Sequence, residues 1–530
     1  MCCPSILIAI TLARCYVSAL NPTVPPSLQG EAPMHGIHWR LTARNLRSNL
    51  TYVILNTIGL AAAFAVCVLF GMKILHELSY DRWPDADRLY RVDLAYTNSS
   101  GERTLSPLNV GALGPGLQRD IAGIEYSGRI QTVLRVETIA VAGVNHQVDG
   151  IMADEEILKI YEFESVYGNP VEGMEQPWSV VLTESCSKRI FGDTDPTGTI
   201  LPLDADTSYA CTIAGVIADP AIPTHLSSFN LISSWEGNWC DNDWEFDAHN
   251  VYVKLKEGVT PENLQPALDA YVDPYRNTRR WQSEGGEFGL HLEPVRDIHL
   301  FNTVNNEWSV ADVQAVPGIM NVLLYGGVSL LVLILAYLNY AGLLFGAGGS
   351  RTRQIGMAKL LGSGRGQVFR QLLIEAIIIA GAAMLLAGLV VWLGWDHWLR
   401  LLAVPIHEFP AESFATLLMI AVIMLLGAQA AALIPILRLS RFEARHTLLS
   451  GGLRSSWNLK GRGALVLTQF VLTSAMLMFL HGMVQQVRLV QQKNAPGFHS
   501  DGLLCLSLHE WYTADELERV EQAARSITGV

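Results

Sequence analysis

Charged side chains are scarce in this chain. Only 16% of its 530 residues are Asp, Glu, Lys or Arg, and the mean hydropathy is +0.25. Ordinary soluble domains carry about 25% charged residues, so a protein that is soluble throughout is disfavoured. The net charge of −13 also disfavours nucleic-acid binding, which needs a basic surface.

The sequence also lacks the short motifs of common enzymes. It contains no HExxH, G-x-S-x-G or CxxC, and no G-x-x-x-x-G-K-[ST] loop. The glycine clusters at 346–351 and 362–367 lack the Lys-Ser/Thr pair that holds phosphate and Mg²⁺. We therefore expect a non-catalytic chain without a cofactor or metal of its own.

Clustered cysteines are missing as well. The eight cysteines are scattered, so a zinc site is not expected. Cys186, Cys211 and Cys240 lie in the acidic central block described below. One disulfide among them is an alternative, but an odd number leaves one thiol over, and we favour free thiols.

Long apolar runs are what the sequence has in abundance. Five of them are long enough to cross a hydrocarbon core as helices, a length of about 20 residues: residues 52–75, 319–345, 369–395, 413–437 and 464–483. Residues 75–318 hold 38 acids and 16 basic residues, whereas the rest holds 12 acids and 21 basic residues. The positive-inside rule places the N-terminus and the basic loops in the cytoplasm and the acidic block outside.

The sequence thus predicts a multi-pass α-helical membrane protein with a large α+β periplasmic domain between the first and second transmembrane helices. Alternating patterns at 137–144, 209–217 and 251–255 predict strands, and those at 183–191 and 261–272 predict helices. We expect two subdomains in this block.

The expected domain order follows from these segments. We expect the functional chain to begin near Met34. The segments are a doubtful extension (1–34), an amphipathic helix with the first span (38–75), the periplasmic domain (76–318), a membrane domain (319–437), a basic cytoplasmic linker (438–463), a fifth span (464–483) and the incomplete start of a second periplasmic domain (484–530). A basic pre-helix, a span and an external segment occur in this order at 38–95 and again at 454–510.

The loop at 346–368, between the second and third spans, is basic and has no acid. Glycines at both ends of 350–361 indicate a short helix there. Held against the inner membrane face, such a helix suits docking of a cytosolic partner. The alternative is that its basic residues only set topology.

Small residues in the spans allow neighbouring helices to come into close contact, and such helices either slide past one another or pack statically. These residues are Gly326, Gly327, Gly381, Ala383, Ala387 and Gly388.

Six stretches carry a family resemblance by their order and spacing. They are RLTARNLRSNLTYVILNTIGLAAAFA (40–65), ELSYDRWPDADRLYRV (77–92), WSVVLTESCSKRIFGDTDPTGTIL (178–201), CTIAGVIADPAIPTHLSSFNLISS (211–234), LEPVRDIHLF (292–301) and SRTRQIGMAKLLGSGRGQVFRQLLIEAIII (350–379). Together they resemble the FtsX-like permeases of ABC transporters that carry a MacB-type periplasmic core domain, in a two-repeat variant whose second repeat is truncated.

This resemblance implies a permease subunit in the cell inner membrane. Its partner would be a cytosolic ABC ATPase dimer that binds ATP and Mg, and a periplasmic adaptor or envelope protein is a further expected partner. Export of a drug, peptide or lipoprotein is the implied activity. The alternatives are a signalling subunit that activates a cell-envelope enzyme or sensor, and a membrane scaffold that works without an ATPase.

The resemblance also implies where the ATPase docks. It places the contact on 351–366, with the apolar anchors Ile355, Met357, Leu360 and Leu361 and the charged residues Arg351, Arg353, Lys359 and Arg365. Glu375 is the one acid well inside a span, at a position that the family often fills with Glu. It is a candidate functional residue, although pairing with Arg370 or reaching to the interface is the interpretation we favour.

Overall fold

A computed structural model describes residues 44–97, 103–131, 135–141, 144–202, 210–226, 229–234, 244, 247–275, 287–301, 318–346, 348–360, 362–402, 411–441, 459–491 and 519. The α-helices used below are α1 (Leu50–Glu77), α2 (Leu113–Asp120), α3 (Glu156–Tyr161), α4 (Pro170–Met174), α5 (Glu184–Phe191), α6 (Pro261–Val272), α7 (Val295–Phe301), α8 (Gly318–Gly346), α9 (Gly348–Leu360), α10 (Arg365–Leu393), α11 (Trp395–Leu401), α12 (Ala411–Arg441) and α13 (Leu459–Gln491).

The strands occupy the region between α1 and α8. They are β1 (Leu89–Thr97), β2 (Arg103–Ser106), β3 (Asn109–Val110), β4 (Ile124–Gln131), β5 (Arg135–Val141), β6 (Val144–Met152), β7 (Ser165–Gly168), β8 (Ser179–Thr183), β9 (Ile200–Pro202), β10 (Ala210–Ile217), β11 (Leu231–Ser233), β12 (Asp247–Leu255) and β13 (Glu287–Pro294).

Five helices among the described residues are long and apolar enough to cross a membrane: α1, α8, α10, α12 and α13. The predicted multi-pass fold with an α+β domain between the first two spans is therefore confirmed. The α13 helix packs on α8 and leaves most of its apolar side chains exposed.

The helices α1, α8, α10 and α12 share one apolar core. Close contact is made at alanines, since Ala383, Ala387, Ala428 and Ala432 are fully buried. A methyl group added at Gly327, Gly381 or Gly388 would meet nothing within 4 Å. The expectation of close contacts at those glycines is therefore wrong, while the one at Ala383 and Ala387 is confirmed.

The first sheet has six strands in the order β13-β1-β12-β3, with β2 paired to β1 and β4 paired to β12. All of its pairs are antiparallel. β1 follows α1 in the chain, and β13 leads through α7 towards α8. This sheet is therefore continuous with both spans that flank the exported domain.

The second sheet has seven strands in the order β5-β6-β11-β8-β10-β7, with β9 paired to β10. All its strands come from residues 135–233, which lie between β4 and β12 of the first sheet. It is an insertion into the first sheet, and the two sheets match the two expected subdomains. The helices and strands predicted at 183–191, 209–217, 251–255 and 261–272 are confirmed.

A shared apolar core joins the two sheets. It contains Ile130 of β4, Ile151 and Ile232 of the second sheet, and Val295 and Ile298 of α7. A buried ion pair also connects the two sheets. Arg129 Nε donates to Asp154 Oδ2 over 2.8 Å, and Arg129 Nη1 donates to the Gly111 carbonyl. Satisfied in this way, the buried charges hold the insertion to the first sheet.

The disulfide considered for the exported domain is not found in the described part of the chain. Cys186 carries a free, buried thiol, so it bridges neither Cys211 nor Cys240. Burial raises the pKa of the Cys186 thiol, which makes it a packing residue rather than a reactive one.

Glu156 gives the exported domain a pH-dependent stability. Burial, followed by repulsion from Glu155, raises its pKa from 4.5 to about 7. The folded state therefore keeps a proton that the unfolded state releases, so stability is full below about pH 4.5 and falls as the pH rises to about 7. We expect Glu156→Gln to unfold about 2–4 °C above wild type at pH 8 and with it at pH 4.

Thermal unfolding of the full chain in detergent measures this difference. Glu175→Gln, at an exposed site, is the matched control and should follow wild type at both pH values. A gain for Glu156→Gln that does not change with pH would contradict the assignment.

Candidate functional site

The helix expected in the loop between the second and third spans is α9. It ends before Gly362, which has a φ of +97° that favours glycine. The Gly362 N–H donates to the Lys359 carbonyl, and the Ser363 N–H donates to the Ala358 carbonyl. These bonds close the helix before α10 begins.

The two faces of α9 have different surroundings. Ile355 and Lys359, four residues apart, face the bundle: Ile355 is 8% exposed in its core, and Lys359 Nζ donates to the Ser440 carbonyl over 2.7 Å. Met357 and Leu360, three residues apart, are 57% and 62% exposed. Because Ile355 packs inside the bundle, the expectation that it anchors a partner is not retained.

The other expected contact residues are placed in part. Arg365 begins α10 and is exposed. Arg351 and Arg353 lie in the backbone of α9, and nothing is described of their side chains. Leu361 lies outside the described residues.

Glu375 is buried inside α10 and connects two parts of the bundle. Asn45 Nδ2, in the helical stretch before α1, donates to Glu375 Oε1 over 3.3 Å, and Gln371 Nε2 donates to the same oxygen over 3.5 Å. Glu375 therefore ties the third span to the entry of the first. Its pairing with Arg370 or reach to the interface stays a prediction.

At the opposite end of the bundle, Glu77 closes α1 as a buried carboxylate. Lys73 Nζ lies 2.9 Å from its Oε1, and the His299 ring Nε2 lies 2.8 Å from its Oε2. Both Glu77 and His299 are 3% exposed. Since His299 belongs to α7, this contact joins the first span directly to the exported domain.

The same histidine also contacts the start of the second flanking span. Its ring stacks on Tyr80 with centroids 3.5 Å apart and planes 4° apart. A methyl group at Gly318, the first residue of α8, would lie 2.7 Å from His299 Nε2, so only glycine fits against the ring. We call Lys73, Glu77, Tyr80, His299 and Gly318 the junction cluster.

A second buried contact holds the segment after α1 in place. Asp81 Oδ1 lies 2.9 Å from His225 Nδ1, and His225 Nε2 lies 2.9 Å from the Tyr252 hydroxyl of β12. Thr224 Oγ1 also donates to Asp81 over 2.8 Å. The chain that leaves the first span is therefore fixed to the first sheet within a few residues.

The junction cluster links both spans that enter the exported domain. The end of α1, at Glu77, and the start of α8, at Gly318, each lie against the His299 ring. Within the described ranges, no group of three His, Cys, Asp or Glu side chains could hold a metal ion.

The junction cluster was not predicted from the sequence, and neither was the contact of His225 with Asp81. One signal was present: the stretches 77–92, 211–234 and 292–301, which carry the family resemblance, supply all of these residues. The stretch 77–92 meets 292–301 through Glu77 and His299, and it meets 211–234 through Asp81 and His225.

Comparison with known proteins identifies two domain families. The MacB-like periplasmic core domain family matches residues 53–271, and the FtsX-like permease C-terminal family matches residues 326–444. No curated protein matches the chain.

Three solved structures are similar to about two fifths of the chain. A domain of a Porphyromonas gingivalis protein assigned as a permease is 23% identical with a TM-score of 0.36, over 40% of this chain and 91% of that one. The periplasmic region of MacB from Actinobacillus actinomycetemcomitans is 13% identical with a TM-score of 0.29, over 40% and 91%. The extracellular domain of the noncanonic ABC-type transporter YknZ from Gram-positive bacteria is 10% identical with a TM-score of 0.26, over 38% and 98%.

The close approach at Gly318 is testable with a matched pair of variants. Gly318→Ala should displace the His299 ring and cost about 1–3 kcal/mol, lowering the unfolding temperature. Gly327→Ala lies in the same helix with open space around it and should not lower it. Thermal unfolding of both variants in detergent decides this, and equal melting temperatures would show that the contact is not tight.

Proposed function

We propose that this chain, an ABC-transporter-type permease that combines a MacB-like periplasmic core domain with an FtsX-like permease domain, converts ATP hydrolysis by a separate ATPase into motion of its exported domain. The observation that carries the proposal is the junction cluster. His299 of the exported domain holds the end of α1 and the start of α8 together, so a movement of either span reaches the domain.

The ATPase is proposed to dock on α9. Met357 and Leu360 give it an exposed apolar face, and Arg365 is exposed at the start of α10. Arg351, Arg353 and Lys359 belong to the same helix as this face and are the other basic residues proposed for the contact. Exposed apolar side chains with a polar rim are typical of docking surfaces. ATP and Mg would be bound by the partner.

A continuous set of contacts connects α9 to the junction cluster. Ile355 and Lys359 pass a displacement of α9 to α12, through the bundle core and the Ser440 carbonyl. Glu375 of α10 holds Asn45 just before α1. The helix α1 then extends to Glu77, which pairs with His299. A rigid helix between two fixed ends is suited to transmit such a displacement.

The proposed setting is the cell inner membrane, with the N-terminus in the cytoplasm and the large domain in the periplasm. The excess of basic residues outside 75–318 supports this orientation. The proposed activity is export of a drug, peptide or lipoprotein from the membrane or periplasm, and the matches to the two permease-type domain families support it. A periplasmic adaptor or envelope protein is the further proposed partner.

The docking face is tested by copurification with the ABC ATPase encoded nearest to this chain. Met357→Asp/Leu360→Asp should lose the ATPase while keeping the wild-type unfolding temperature, because both side chains are already exposed. Ile355→Asp should instead lower the unfolding temperature, since it buries a charge in the bundle. Gln354→Glu, exposed on α9, is the control that should still bind.

If Met357→Asp/Leu360→Asp retains the ATPase, the docking face lies elsewhere. If wild type binds no ATPase although it is intact and membrane-inserted, the proposal of an ATPase-driven permease is wrong.

Transmission is tested separately in the assembled complex. His299→Ala should still bind the ATPase but lose the ATP-dependent change in hydrogen exchange that we expect in α7 and β13. Arg296→Ala, an exposed position in the same helix, should respond as wild type does. A full ATP response in His299→Ala would show that the junction cluster does not carry the motion.

A further inference from the structure

An open cavity of about 450 Å³ lies between α1, α8 and α13. Its α1 wall is made of small residues, among them Gly59 and Ala63. Three polar side chains complete the lining: Asn339 of α8, and Gln469 and Thr473 of α13. None of its lining residues is ionisable. The volume falls in the range of small-molecule sites, about 300–1,000 Å³.

The polar side chains lie inside the hydrocarbon layer. At a rise of about 1.5 Å per residue, Gly59, Asn339 and Gln469 are about 10–15 Å from the helix ends on the α9 side. Each of these helices exceeds the length needed to span. A methyl group at Gly59 would lie 3.9 Å from Asn339 Nδ2, so Gly59 of α1 and Asn339 of α8 lie at the same depth in the bundle.

Hydrogen-bonding groups at this depth need partners, because lipid tails supply none. Yet within the described part of the chain, the buried Gln469 Nε2 has no hydrogen-bond partner. The side chains of Asn339 and Thr473 are exposed at the cavity. A carboxamide and a hydroxyl from two different spans are thus exposed at one space, and the buried amide of Gln469 lies beside them.

We propose that this cavity binds an uncharged membrane amphiphile, whose hydroxyl or amide groups bond to Asn339, Gln469 and Thr473 while its chain lies along Gly59 and Ala63. The site is defined by the bundle alone and does not depend on ATPase docking.

Size and charge select this occupant over others. The cavity volume of about 450 Å³ is close to that of one turn of a helix 10 Å wide, about 420 Å³, and it accommodates a slender chain. An ionised headgroup would need a cation at that depth, and the lining supplies none. A slender chain with a small neutral polar group satisfies both limits.

The test is photolabelling of the full chain in nanodiscs without nucleotide, with a palmitoyl glycerol that carries a diazirine in its acyl chain. We expect labelling in the three stretches that line the cavity, competed by unlabelled palmitoyl glycerol. The lysophosphatidic acid with the same chain should compete about tenfold less well.

Two variants in α13 separate filling the site from changing the lipid-facing surface. Thr473→Phe should fill the cavity and reduce labelling about tenfold. Val471→Phe, at a 55% exposed position that does not line the cavity, should leave labelling unchanged. Asn339→Leu should weaken competition by the glycerol compound, because it removes a hydrogen-bonding amide. Equal unfolding temperatures show that the variants are folded.

Three results would overturn the proposal. The first is equal loss of labelling in Thr473→Phe and Val471→Phe, and the second is equal competition by the anionic lipid. The third is disulfide crosslinking of Thr473→Cys between two copies of the chain, which would mean that a second copy covers the cavity. All three are read without ATPase, so they are distinguishable from a failure of the proposed function.

Discussion

A carboxylate buried where a span meets the exported domain is stable only if fixed cations and donors surround it. Glu77 is that group, and the side chains that contact it, Lys73 and His299, belong to the junction cluster. Lys73 lies one turn before Glu77 in the same helix, whereas His299 belongs to α7, at the far end of the domain in the sequence. The first sheet, whose strands β1 and β13 pair side by side, makes this possible because it brings the two ends of the domain together.

The end of the bundle near α9 also holds a buried carboxylate. Glu375 receives hydrogen bonds from the amide groups of Gln371 in its own helix and of Asn45 before α1. A buried carboxylate therefore lies near each end of α1, and each one is bonded to a residue from another part of the chain. The helix α1 is thus attached to its surroundings at both ends.

Composition and periodicity were enough to predict the five spans, the α+β character of the exported block and the helix α9. These features depend on local patterns, which a sequence displays directly. The junction cluster could not be predicted that way, since Glu77 and His299 are 222 positions apart and each resembles an ordinary polar residue. Likewise, Ile355 and Met357 look equally suitable as anchors until α12 is placed beside α9. Only the packing decides which face remains outside.

The second sheet enters and leaves the first at neighbouring positions. Gln131, the last residue of β4, pairs with His249 near the start of β12, and every strand of the insertion lies between them. The first sheet and the second sheet are thus consecutive pieces of one chain, which meet at the contacts of His225 with Asp81 and Tyr252. Exchange of residues 135–233 for another unit with adjacent ends would keep the β1–β13 pair and the Glu77–His299 contact, but the new unit would have to supply a group in place of His225. Such a layout lets evolution, or a protein engineer, change the second sheet while the first sheet keeps its links to both spans.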